Sequence, residues 1–133
     1  MALETPLDVV AEDTESQGAA LPQRVFGKTG ERVPILGLGT GPSGMGLQNE
    51  DAIRLYHRAL DLGVTYLDTA PGYQRAQMQL GEVMKDRRDE AFLVTKTNAA
   101  DGKRAREILE ENLRTLKTDH VDLTYVHTVG NLD

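Results

Sequence analysis

Apolar positions along this chain follow two alternating rhythms. Short apolar or β-branched runs at 35–39, 64–68, 91–95 and 121–126 read as buried strands, bounded by glycine, proline or charge. Between them, apolar residues recur at i, i+3 and i+4. From about Asn49, a plausible N-cap, the stripe is Ala52, Ile53, Tyr56, Ala59 and Leu60, and Gly63 ends it. A second helix over 76–85 would bury Leu80, Val83 and Met84. A third, over 102–117, would turn Ala105, Ile108, Leu109, Leu113 and Leu116 inward and its charges outward. Predicted strands begin near 35, 64, 91 and 121, a period of 27 to 30 residues. Strand, helix, strand at this spacing means βαβ units and a parallel sheet. Three complete βα units are followed by a fourth strand without its helix.

Upstream of this repeat, Arg24-Val25-Phe26 and Arg32-Val33-Pro34 flank Gly27-Lys28-Thr29-Gly30, the pattern of a hairpin with a glycine-rich turn. The Gly-Lys-Thr sequence is not a phosphate-binding P-loop, which needs a glycine five positions before Gly27, where Pro22 stands. Residues 1–22 mix acids, Ser, Gln and Gly without a sustained period and read as a flexible acidic extension.

Charge sharpens that boundary. The net charge is −6, and residues 1–22 carry Glu4, Asp8, Glu12, Asp13 and Glu15 with no Lys or Arg. The remainder holds 16 acids against 15 bases, which leaves no basic face for nucleic acid. No apolar run approaches the ~20 residues of a membrane helix, and no secretory signal is expected at the N-terminus. With no cysteine, disulfides, thiolate catalysis and Cys-ligated metals are excluded, no metal site is expected, and a cytoplasmic setting fits.

The candidate chemistry sits where the strands stop. Asp68 closes 64–68, the Pro71-Gly72 turn then delivers Tyr73, Lys96 follows Phe92-Leu93-Val94-Thr95, and His127 follows Leu123-Thr124-Tyr125-Val126. Ionisable groups at the same end of successive strands mark a site rather than a core. Two architectures accommodate them. In a (β/α)₈ barrel, catalytic groups come from the C-terminal ends of several strands, and the leading hairpin would cap the open bottom. In a doubly wound sheet, Gly39-Thr40-Gly41-Pro42-Ser43-Gly44 would be the G-x-G-x-x-G phosphate loop, with Asp68 beyond it. Against the second, Pro42, Gly44 and Gly46 are expected to keep the chain irregular until about Asn49, and the hairpin has no place in it.

These residues resemble the aldo-keto reductase family over about 24–127. The resemblance is carried by the hairpin, Gly37-Leu38-Gly39-Thr40, Asp68-Thr69-Ala70 with Tyr73, Leu80-Gly81-Glu82, Val94-Thr95-Lys96 and Tyr125-Val126-His127. It implies a (β/α)₈ barrel and reduction of a small carbonyl substrate with NADPH, or alternatively NADH. Tyr73 would give the proton, Lys96 would support the phenolate left behind, Asp68 would pair with Lys96, and His127 would bond the carbonyl oxygen. Gly39 and Thr40, with Asp68, would line the nicotinamide end. Each residue also has a plain structural role open to it: a turn-bonding Asp68, a packed Tyr73, a solvated Lys96, a buried His127. Gln74 and Gln77 depart from the glycine and the acid that family members often carry there, which alters the turn and the start of the second helix.

A (β/α)₈ barrel needs ~250 residues, so only the N-terminal half, through residue 133, is expected here. Two expectations follow. The chain derives from a reductase, and in isolation it is either that enzyme's N-terminal half or a catalytically silent interaction piece. Exposed half-barrel edges would favour self-association into a pseudo-complete barrel.

Overall fold

The computed structural model describes residues 20–130. Most of the acidic extension expected over 1–22 lies outside them. The first ordered unit is an antiparallel hairpin, β1 (Gln23–Val25) with β2 (Arg32–Pro34), closed by a turn in which Gly27 and Gly30 take positive φ. Phe26, just past β1, sets its ring 6.1 Å from that of Phe92.

A parallel sheet follows, made of β3 (Gly37–Gly39), β4 (Tyr66–Asp68), β5 (Phe92–Thr97) and β6 (Leu123–Val126), paired in chain order. In register, Gly39 pairs with Asp68, Asp68 with Val94, and Lys96 with Tyr125. A doubly wound sheet would place its fourth strand beside the first, reversing direction at a switch point. Here the fourth strand lies beside the third, the progression a barrel requires. Phe92 opens β5, so the hairpin sits at the N-terminal end of the sheet, under a barrel floor.

Helices α2 (Asn49–Asp61), α3 (Ala76–Arg87) and α4 (Gly102–Leu116) match the predicted stripes, and each packs on the next. Asp101 caps α4 by accepting the Arg104 amide at 2.9 Å. Gly63 takes φ +79 just past α2, as its position after the stripe predicts. The core lies between helices and sheet. Leu67 and Leu93 point there, fully buried, against Tyr56 and Leu60 of α2, Leu80, Val83 and Met84 of α3, and Leu116 of α4. Full burial of each such Leu is worth ~1.5–3 kcal/mol. Side chains on the opposite face converge on one another: Tyr66 stacks on Phe92 at 5.3 Å, and its hydroxyl meets that of Tyr125 at 3.1 Å.

The sequence reading needs four corrections, the first at α2, where Gln48 rather than Asn49 is the cap residue and the Asn49 side chain accepts from Gln79 at 3.1 Å instead. The stretch expected to stay irregular up to Asn49 contains a short helix, α1 (Gly41–Gly46), so the described chain has four α-helices rather than three. Pro42 falls in its first turn, where a missing N–H costs nothing. Ser43 ties the helix down by donating to the Thr40 carbonyl (2.9 Å) and sharing a 2.7 Å bond with the Tyr56 hydroxyl, a phenol whose pKa is pushed up by burial. Next, β3 begins at Gly37, leaving Ile35 and Leu36 outside it and exposed. Last, β5 runs to Thr97, so Lys96 lies within the strand rather than after it, because pairing with β6 extends that far. No helix among the described residues is long and apolar enough to cross a membrane.

Candidate active site

Asp68 is the last residue of β4, and its main-chain carbonyl is doubly fixed. Thr40 donates to it from both its backbone N–H and its hydroxyl, each at 2.9 Å. Thr40 is fully buried and braces the strand end from the neighbouring loop. The Asp68 carboxylate faces β5, where Lys96 Nζ donates to Oδ1 at 2.5 Å and to the Thr69 carbonyl at 3.1 Å. Lys96 is only 8% exposed, so its charge is sheltered from water and depends on these partners.

Asn112, buried on α4, donates to the Lys96 carbonyl at 3.0 Å. Gln77, buried near the start of α3, donates to the Thr95 hydroxyl at 2.9 Å. Two helices thus hold the segment of β5 that carries Lys96.

Tyr73 arrives on the loop after β4. Its backbone N–H donates to the Ala70 carbonyl at 3.1 Å, and its own carbonyl accepts from Ala76 at 3.0 Å. Lys96 Nζ lies 4.8 Å from the centre of the Tyr73 ring, within cation–π range. His127 follows β6, anchored by its N–H to the Thr97 carbonyl at 2.7 Å, and meets the Tyr73 ring edge-on at 5.9 Å. Asp68, Tyr73, Lys96 and His127 are therefore brought together at the C-terminal ends of three neighbouring strands. Gly39, the register partner of Asp68, has open space where a Cβ would stand.

Beside this group lies a cavity of about 70 Å³, lined by Pro71, Gly72, Lys96, Thr97, Asn98 and His127. It has room for a group the size of a carbonyl, well short of the ~300–1,000 Å³ of a pocket for a larger ligand. Sequence reasoning missed Asn98, Gln77 and Asn112. A signal existed for the last: Ile108, Asn112 and Leu116 share one i, i+4 stripe, which places an amide in an apolar face.

A family model described as the aldo/keto reductase family matches residues 35–131. The chain belongs to the aldo/keto reductase family. Methylglyoxal reductase DkgA of Salmonella typhimurium is 38% identical over 101 residues, which cover 74% of this chain and 35% of that protein. Among solved structures, the holo form of an aldo-keto reductase from Bacillus halodurans matches with a TM-score of 0.70 at 28% identity, over 78% of this chain and 39% of that one. An aldo/keto reductase from Klebsiella pneumoniae, in complex with NADP and acetate, matches with a TM-score of 0.62 at 30% identity, over 70% of this chain and 35% of that one. The chain spans about a third of the length of the curated relative. Its sheet is part of an aldo/keto reductase (β/α)₈ barrel, the N-terminal portion.

Whether these residues suit a nicotinamide can be tested at Gly39. Among the described residues, no atom beyond its chain neighbours lies within 4 Å of where a Cβ on Gly39 would stand, beside Asp68 in register, so nothing there obstructs a flat ring.

Proposed function

We propose that the protein reduces an aldehyde or ketone to an alcohol in the cytoplasm, with NADPH or, as the second candidate, NADH. The observation that carries this reading is the convergence of Tyr73, Lys96, Asp68 and His127 on one rim. The nicotinamide would supply a hydride to the carbonyl carbon. Charge then builds on the carbonyl oxygen, and a proton must reach it. The Tyr73 hydroxyl gives that proton, and the Lys96 ammonium beside the ring supports the phenolate that remains. Asp68 holds Lys96 in place and balances its charge. His127, edge-on to Tyr73, hydrogen-bonds the carbonyl oxygen and orients it. Gly39 and Asp68 form the nicotinamide's side of the site; Thr40, expected there too, is fully buried and supports it from behind through the Asp68 carbonyl. A small dicarbonyl such as methylglyoxal is the first substrate to test, given the name of the Salmonella relative.

The test is a fluorescence titration of NADPH into the 133-residue chain, followed by methylglyoxal turnover read at the nicotinamide absorbance. Saturable binding and turnover are expected, with a loss of about 10²–10⁴-fold in Tyr73→Phe. Absence of both binding and turnover at millimolar cofactor would overturn the reading for this chain.

A second reading, a silent interaction piece, is favoured by the sheet's margin. Tyr125 and Val126 of β6 are 38% and 61% exposed, on a strand with one unpaired side among the described residues. Sedimentation that shows concentration-dependent dimers, with no cofactor binding, would support it.

A further inference from the structure

Two of the glycines singled out after β3, Gly41 and Gly44 of α1, face the Tyr73 loop. A Cβ on Gly44 would stand 2.3 Å from the Tyr73 carbonyl oxygen and 2.6 Å from the Ala76 Cβ, and one on Gly41 would lie 3.7 Å from the Tyr73 ring. The loop therefore rests on the bare side of α1. Arg75 makes the return contact. Its Nη2 donates to the Leu47 carbonyl at 2.8 Å, and its Nε reaches toward the Gly44 carbonyl at 3.5 Å, both at the open C-terminal end of α1. Gln79 adds a longer bond to the same Leu47 carbonyl at 3.4 Å. Between Tyr73 and Arg75, Gln74 holds φ at +52, a left-handed conformation that a residue with a Cβ keeps only where its surroundings enforce it.

We infer that Arg75 is a positioning residue: its guanidinium latches the Tyr73 loop to α1 and so holds the Tyr73 ring between Lys96 and His127. The latch works against the Gln74 backbone, which without it would relax and carry Tyr73 off the rim. This inference rests on the reading of Tyr73 as proton donor.

The test uses the full chain with ring-¹³C-labelled tyrosine, observed by NMR. The chain has four tyrosines, and loss of one signal in Tyr73→Phe identifies the residue. In Arg75→Ala the Tyr73 signal is expected to move toward that of free tyrosine while Tyr56, Tyr66 and Tyr125 hold. Arg75→Lys, which keeps one donor, should move it less. Adding Gln74→Gly to Arg75→Ala should return it, since glycine rests in the left-handed region without a latch. In turnover, Arg75→Ala should lower kcat by up to about 10²-fold with KM for the carbonyl little changed. An unmoved Tyr73 signal in Arg75→Ala would overturn the inference. So would movement of all four signals together, which marks a residue of general stability, or a failure of Gln74→Gly to return the Tyr73 signal. Absence of NADPH binding by the unsubstituted chain would count against the reductase reading alone, because the tyrosine signal reports the latch without cofactor.

Discussion

Asn112 on α4 donates its side-chain amide to the main-chain carbonyl of Lys96, across 3.0 Å of buried interface. A helix thus grips the strand directly beneath its one buried ammonium. Removing the donor in Asn112→Leu is expected to cost about 1–2 kcal/mol in urea unfolding. Asn112→Asp should cost more at neutral pH, because a carboxylate would then face a carbonyl, and should recover as the pH falls.

Lys96 and Asp68 differ in shelter, with side chains 10% and 25% exposed. Breaking the pair from the carboxylate side strands the deeper charge. Asp68→Asn is expected to destabilise by about 3 kcal/mol, and Lys96→Met by less, since the carboxylate retains more water. The double substitution should recover part of the loss. Chemical denaturation of the three variants at neutral pH checks this ordering.

Gln74 in its left-handed conformation carries strain of about 1–2 kcal/mol that glycine would not. Glycine gains more freedom in the unfolded chain, which offsets part of the benefit. Gln74→Gly alone is expected to stabilise by about 0.5–1 kcal/mol, read as a raised denaturation midpoint with an unchanged slope.

Glu82 on α3 accepts from Lys117, at the end of α4, and from Lys85. Those bonds, Lys117 first, hold its carboxyl pKa below the ordinary value. A carboxyl lowered on folding contributes stability above its unfolded pKa, about 4.3, and loses it as the pH falls through the folded value. Glu82→Gln should therefore be less stable than the parent at pH 6, and the gap should close on acidification. Midpoints measured across that range would show it, and a gap that widened toward acid would refute it.

How much of this could be read in advance differs from residue to residue. The positions of Asp68 and His127 are legible because an apolar run that breaks into an ionisable group marks a strand end in one dimension, and that of Tyr73 because Pro71-Gly72 marks the turn before it. Helices α2 and α4 are legible through their stripes. Helix α1 is not: Gly41-Pro42-Ser43-Gly44-Met45-Gly46 has poor intrinsic propensity, at about 1 kcal/mol per internal glycine. What makes it helical lies far away in the chain, in the Tyr56 hydroxyl and the Arg75 guanidinium. The strand limits were misjudged for the same kind of reason. Ile35 and Leu36 suit a strand but find no partner there, and Lys96 and Thr97 are drawn into β5 by β6.

The sheet follows the order of the chain, with Leu38 paired to Leu67, Leu67 to Leu93, and Val94 to Leu123. Among its described strands, every pairing therefore closes a loop of similar length. That order suits a chain that emerges from the ribosome N-terminus first. Each βα unit has its docking surface ready when it is made. Asp68 is thus synthesised before the Lys96 that neutralises it, and Tyr73 before the His127 that meets its ring edge-on.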